Sequence, residues 1–188
     1  MRETLRFLSQ SILRPRSVGA LAPSSRHLAR AMVAEIGALD SGAVILELGP
    51  GTGVFTRELA ERYPRNRIVA VEFNRDFADR LRQRMPTVSV VEGCASRLRD
   101  HLAALGLAGS PVGAVISGLP LLSLPVDLGD RIWASIADIL PPGRRYIQFT
   151  YSRRAWRRRH PPGFTAGRSR RIWANLPPAV ILPFERAA

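Results

Sequence analysis

The sequence predicts an α/β domain, a mostly parallel sheet with helices on both of its faces. Three observations predict it. Between residues 43 and 151, short apolar runs alternate with stretches of helical periodicity, the pattern of parallel βαβ units with right-handed crossovers. The runs are apolar for nearly their full length, as expected of strands that helices cover on both sides. The first run ends in a glycine-rich turn that leads straight into a helix, and open α/β sheets hold their ligands at such turns.

Each element follows from local chemistry. The opening segment, MRETLRFLSQSILRPR, places Leu5, Leu8 and Ile12 on one helical stripe with Arg2 and Arg6 among its charges, and Pro15 ends it. It is expected to form an amphipathic helix over residues 1–16, ahead of one domain over 17–188. Two readings of that helix stand side by side: docked on its own domain, or lying in the headgroup layer of an anionic membrane. Pro23, Ser24 and Ser25 then mark a helix start, and a 3.6-residue apolar period runs through Leu39. Strands are read at 43–49, 67–73, 88–93, 111–118 and 145–151, with helices near 53–63, 75–85, 96–106 and 125–140. After Tyr151 the alternation stops. A basic, proline-containing stretch leads into RRIWANLPPAVILPFER, read as a pair of strands around a Leu176-Pro177-Pro178 turn.

With 188 residues, 46% hydrophobic and 23% charged, the chain can bury a sizeable core without disulfides or metal. Its single cysteine, Cys94, excludes a disulfide framework and any zinc site built on thiolate pairs, and it suits a reducing compartment. No apolar run reaches the roughly 18 residues of a membrane span, and Arg6, Ser9, Gln10 and Ser11 interrupt what a signal peptide would keep apolar. The unusual feature is charge: 28 basic residues, all arginine, against 15 acidic ones give +13. Guanidinium groups bind phosphate in a bidentate manner, so the surface suits nucleic acid or an anionic membrane.

The segment Glu47-Leu48-Gly49-Pro50-Gly51-Thr52-Gly53 closes the first strand. Glycines at alternate positions let the backbone turn sharply and bring N–H groups against a ligand near the helix N-terminus. Their spacing differs from the G-x-G-x-x-G dinucleotide fingerprint. Glu72 ends the second strand, before Phe73 and Asn74, where a carboxylate can accept both ribose hydroxyls of an adenosine held over the loop. Capping the helix begun at Asn74 is the plainer role for it. Glu47 would then face the positive end of the ligand. A loop flanked by two acids suits S-adenosylmethionine, cationic at sulfur and free of phosphate, ahead of NAD or NADP.

ELGPGTG, VEFN, VISGLPLLSLP at 115–125, LPPGRRYIQFTY at 140–151, the early RSVGALAPSS and the late RIWANLPPA together resemble the short bacterial phosphatidylethanolamine N-methyltransferases of the class I S-adenosylmethionine-dependent superfamily. The likeness runs from about Leu5 to Phe184. The glycine loop is common to the superfamily, whereas SGLPLLSLP and QFTY are more specific. The resemblance implies a Rossmann-like class I methyltransferase fold: a mostly parallel seven-stranded sheet, helices on both faces and an antiparallel C-terminal strand. It implies transfer of methyl groups from S-adenosylmethionine to the amine of phosphatidylethanolamine and its monomethyl and dimethyl forms, giving phosphatidylcholine and S-adenosylhomocysteine, with no metal. It assigns Glu47 to Gly53, Glu72, Phe73 and Asn74 to the cofactor, and Ser117, Gly118 and Leu119 to the methyl-transfer point. Where the superfamily usually carries Gly-Asp-Ala to border the adenine, this chain has Gly93-Cys94-Ala95. A thiol is a poor acceptor, so the adenine amine needs a backbone carbonyl, a water or Ser96. Ribosomal-RNA adenine dimethyltransferases share the loop but place Asn-Leu-Pro-Tyr after the fourth strand to hold a flipped adenine. Here the residues are Ser117-Gly118-Leu119-Pro120.

Methyl transfer to nitrogen needs a free lone pair, yet a primary amine of pKa about 10.4 is mostly protonated at neutral pH. A low-dielectric site beside a sulfonium favours the neutral amine. Tyr151 and Tyr146 are the candidate orienting groups and Ser117 a candidate acceptor. Arg153 and Arg154, just past the fifth strand, are expected to take the lipid phosphate, with Ser24 and Ser25 near the headgroup. Trp156 beside Arg157, Arg158 and Arg159 reads as an interfacial patch, a mixture that Arg168, Arg170, Arg171 and Trp173 repeat. Cys94 reads as a buried structural cysteine, and His27 as a solvated or core histidine. The expected partners are an anionic membrane surface and a phospholipid, with no nucleic acid, for a monomer bound peripherally to the inner face of the cytoplasmic membrane. An RNA adenine N-methyltransferase, a soluble small-molecule N-methyltransferase and a catalytically silent membrane-binding module are the alternatives.

Overall fold

Alternation within the strands divides the apolar side chains between two faces, and the helices sort accordingly. The computed structural model describes residues 25–152, Trp156 and residues 160–188. The amphipathic segment expected over 1–16, with Arg2, Leu5, Arg6, Leu8 and Ile12, lies outside the described residues, as do Ser24, Arg153, Arg154 and the arginines at 157–159.

The parallel strands are β1 (Val44–Leu48), β2 (Arg67–Glu72), β3 (Ser89–Glu92), β4 (Val112–Ser117) and β5 (Arg145–Thr150). The antiparallel ones are β6 (Phe164–Ala166), β7 (Arg170–Ile172) and β8 (Ala179–Arg186). Their order is β3-β2-β1-β4-β5-β8-β6, with β7 pairing β8 as well. The sheet therefore holds eight strands, one more than the seven expected, because β6 and β7 share the outer edge of β8. The carbonyl of Pro183 accepts the Gly167 N–H at 2.9 Å, but proline has no N–H to return, and the outer strand breaks there.

Helices α1 (Arg26–Ala34), α2 (Val54–Arg62) and α3 (Arg75–Arg84) cover one face, and α4 (Leu98–Ala104) and α5 (Val126–Ile139) the other. Neighbouring residues of β1 illustrate the division: Ile45 packs with Leu28, Met32 and Leu59, while Leu46 packs with Leu98, Ile132 and Ile136. Ser25 caps α1 by accepting the Leu28 N–H at 3.1 Å, as the sequence signal required. Asn74 does the same for α3 through the Phe77 N–H at 3.1 Å.

Trp156 corrects an expectation. It is buried, edge-on to Trp133 at 6.0 Å and tilted against Phe184 at 5.9 Å, so it belongs to the core and not to an interfacial surface. The chain winds outward from β1 to β3 and then jumps back across β1 to β4. That reversal sets a crevice beyond the C-terminal ends of β1 and β4, where open α/β sheets bind ligands.

Candidate active site

The turn after β1 and the turn after β4 are joined backbone to backbone. The Gly118 N–H donates to the Leu48 carbonyl at 2.8 Å, and the Gly49 N–H to the Val71 carbonyl at 2.9 Å. A Cβ on Gly49, where φ is +68°, would meet Leu119 Cδ2 at 2.7 Å, and one on Gly118 would meet the Gly49 carbonyl oxygen at 2.7 Å. Gly51 differs. Its φ is +51°, yet a Cβ there would meet nothing within 4 Å: the loop turns away from protein at this point and leaves room for a ligand. Pro50 is buried and its carbonyl accepts the Gly53 N–H, while Thr52 is exposed. The Leu48 side chain is core, so only its backbone takes part in the turn.

Two buried carboxylates flank that loop. Glu72 accepts the Gly51 N–H at 3.0 Å through Oε2 and the Asn74 N–H at 2.8 Å through Oε1, so it shapes the loop and starts α3 as well as facing the crevice. Burial raises its pKa, and these backbone hydrogen bonds pull it back. Glu47 is fully buried, and among the described residues neither of its carboxylate oxygens has a well-formed hydrogen bond, Thr56 being the polar group beside it. Desolvation pushes its pKa up to about 8; Thr56 pulls the other way and the Glu72 charge adds to the rise. A buried acid with both oxygens unmet is expensive unless a donor or cation reaches it.

At the third strand, the Cys94 carbonyl is already engaged twice, by the Arg97 N–H at 3.1 Å and by His101 Nε2–H at 2.9 Å. The Cys94 carbonyl is thus occupied, whereas the Ser96 hydroxyl donates to Cys94 Sγ at 3.2 Å and keeps its lone pairs for an acceptor role, beside another backbone carbonyl or a water. Ala95 is buried, and His101 fills the space that a side chain at Gly93 would need. Phe73 is half-buried against the core.

Around the fourth strand the polar groups form a chain. Ser117 is fully buried and its Oγ accepts the Leu119 N–H at 3.2 Å. Gln148 Nε2 donates to the Leu119 carbonyl at 3.0 Å and to the Phe149 carbonyl at 2.9 Å, and its Oε1 accepts the Tyr146 hydroxyl at 2.8 Å. Tyr146 is fully buried, stacked on Phe184 at 5.8 Å, with its pKa raised by burial. Its hydroxyl is thus linked through Gln148 to the Leu119 turn. Gln148 was not anticipated; its signal is a lone amide in a strand that helices cover on both faces.

A second knot lies beside it. Asn175 Oδ1 accepts the Ser25 N–H at 2.9 Å, its Nδ2 donates to the Pro177 carbonyl at 2.8 Å, and its side chain meets the Tyr151 hydroxyl. Tyr151 is half-buried, edge-on to Phe149 at 5.6 Å, and burial raises its pKa. Ser25 is a helix cap here, with its Oγ engaged by Leu28. His27 is exposed.

Residues 45–143 match the model of a family described as a methyltransferase domain. Over 154 residues, covering 80% of this chain and 79% of its own length, the ornithine lipid N-methyltransferase of Singulisphaera acidiphila is 32% identical. An rRNA methyltransferase of Streptomyces thermotolerans is 49% identical over 57 residues, which cover 29% of this chain and 18% of that protein. Among solved structures, the N-methyltransferase NodS of Bradyrhizobium japonicum, in complex with S-adenosylhomocysteine, superposes with a TM-score of 0.68 at 13% identity over 98% of this chain and 99% of its own. The chain belongs to the class I S-adenosylmethionine-dependent methyltransferases, and its Rossmann-like fold is theirs.

The residues fit that cofactor. Open space above Gly51, the unmet carboxylate of Glu47 and the half-engaged carboxylate of Glu72 together suit a ligand with hydroxyls and positive charge. The same pair of acids offers the pyrophosphate of NAD or NADP no cationic partner, and a pyrophosphate would disfavour their ionisation further. When bound, S-adenosylmethionine supplies the electrophilic methyl group. Glu47, Gly49, Gly51 and Glu72 would hold it, and the Ser117-Gly118-Leu119 turn borders the same space.

Proposed function

We propose that this methyltransferase acts on the primary amine of a membrane lipid, carrying phosphatidylethanolamine through its monomethyl and dimethyl forms to phosphatidylcholine at the inner face of the cytoplasmic membrane. One observation carries the reading: the motifs that resemble the phospholipid enzymes, far apart in sequence, are tied together at one edge. Gln148 of QFTY holds Leu119 of SGLP. Asn175 of WANLPP holds Ser25 of APSS and meets Tyr151 of QFTY. Similarity over most of the chain to a protein named for N-methylating a lipid adds support.

In this reading the protein contributes position and dielectric. The fixed turn Ser117–Leu119 sets the approach of the amine, so much of the rate gain comes from orientation. Burial around Leu119, Gln148 and Tyr151 favours the neutral, nucleophilic amine over the ammonium. Tyr151, with its pKa raised, stays a neutral phenol and serves to orient the amine, not to take its proton.

A second reading is favoured by the named relative: the amine of an ornithine lipid. Incubation with methyl-labelled S-adenosylmethionine and vesicles containing phosphatidylethanolamine, ornithine lipid or neither, with RNA in parallel, separates the readings by lipid chromatography. Label in phosphatidylethanolamine is expected. Label confined to ornithine lipid selects the second reading, and label in RNA alone, or in nothing, overturns both.

A further inference from the structure

We infer that the tip of the β7–β8 hairpin, residues 173–178, is a membrane-docking element that seats the active-site rim on an anionic bilayer; this rests on the lipid reading above. Trp173 is 72% exposed and Leu176 80% exposed, two large apolar side chains on one six-residue tip, and exposed apolar residues gathered in one place mark interaction sites where scattered ones do not. Register gives their place. Thr150, at the end of β5, pairs with Val180, and Ile172 pairs with Ala179. The turn between β7 and β8 therefore projects past the C-terminal ends of the parallel strands, on the side that carries the glycine loop and the Ser117 turn.

The chemistry of the tip selects its occupant. The Arg171 guanidinium lies over the Trp173 ring at 5.0 Å from its centroid, pairing a cation with an aromatic ring suited to the headgroup boundary. Arg168 is also exposed, and the sequence carries ten arginines and no acidic residue between Asp138 and Glu185. Leu176, Pro177 and Pro178 add an aliphatic wedge with no π-face. Single-stranded RNA calls for several free stacking aromatics, whereas this tip has one, Trp173, with Arg171 over its ring; an aliphatic wedge beside it, flanked by arginines, complements acyl chains beneath anionic headgroups. The wedge is also fixed to the site: Asn175, between Trp173 and Leu176, is buried and bound to the Ser25 backbone and Pro177.

Tryptophan fluorescence tests this in the full chain, because Trp133 and Trp156 are buried and Trp173 is the exposed one. Vesicles of anionic lipid with brominated acyl chains should quench the emission of the wild type, and Trp173→Phe should abolish that quenching while Tm and S-adenosylhomocysteine binding stay unchanged. Trp173→Ser combined with Leu176→Ser should weaken cosedimentation with the same vesicles about tenfold or more. It should also lower methyl transfer to vesicle lipid while sparing transfer to lipid in detergent micelles. Absence of quenching in the wild type, unchanged vesicle binding by the folded double variant, or a loss of RNA binding in place of vesicle binding would overturn the proposal. Quenching is read without catalysis, so quenching with no lipid methylation would refute the lipid reading, and methylation without quenching would refute the hairpin.

Discussion

Replacing Glu47 by glutamine keeps the shape of the side chain and removes its ionisation. Glu47 is fully buried and its pKa stands at about 8 against an ordinary 4.5. The folded chain therefore binds a proton that the unfolded chain releases in that interval, and stability falls as pH rises from the unfolded value toward the folded one. A displacement of that size amounts to about 3 kcal/mol lost between pH 5 and pH 8. Above pH 8 this contribution levels off. Urea unfolding of wild type and Glu47→Gln at pH 5, 7 and 8 reads it directly: the wild type should lose about 3 kcal/mol more than the variant over that range. Saturating S-adenosylmethionine should reduce the difference, because a cationic ligand favours the ionised carboxylate, and proton release on binding should disappear in Glu47→Gln. Parallel pH dependences for the two proteins would refute the assignment of Glu47 as a buried, unmet acid.

Other substitutions test separate parts of the site. Gly51→Ala has room for its methyl group but must hold a φ of +51°; it should cost about 1 kcal/mol of stability and weaken S-adenosylhomocysteine binding, by calorimetry, more than tenfold. Unchanged affinity would show that the space above Gly51 is not the cofactor's. Glu72→Ala should weaken the same binding by about 1.5–3 kcal/mol, with Glu72→Gln recovering part of the loss; equal affinity in all three would remove the carboxylate from the cofactor site. Gln148→Leu removes the side-chain partner of the Leu119 carbonyl and the acceptor of the Tyr146 hydroxyl. It should destabilise the fold by about 1–3 kcal/mol and lower kcat while cofactor affinity holds, and an unaltered kcat would deny the turn its positioning role.

How far the sequence discloses this arrangement depends on the scale of the pattern. Strand β1 and its loop are legible because a run apolar but for Glu47, followed by alternate glycines, admits few backbone solutions, and Ser25 and Asn74 are legible as helix starts because a cap acts within three residues. Side-chain destinations settled by distant packing are not. Trp156, set among arginines in sequence, is drawn inward by Trp133 and Phe184. Tyr146 looks like a catalytic phenol until β8 stacks Phe184 on its ring. Asn175 carries no signal of its own until β8 folds back antiparallel to β5 and brings it to Ser25. The Cys94 carbonyl looks free until α4 places His101 against it.

The central claim is that the amine of a membrane lipid receives the methyl group. Expression in a bacterium that makes phosphatidylethanolamine but no phosphatidylcholine, followed by mass spectrometry of the lipid extract, tests it most directly. Phosphatidylethanolamine species bearing one, two and three added methyl groups are predicted, and they should vanish in the Gly51→Ala variant. An unchanged lipid extract from cells that contain the folded, S-adenosylhomocysteine-binding wild-type protein would contradict the account.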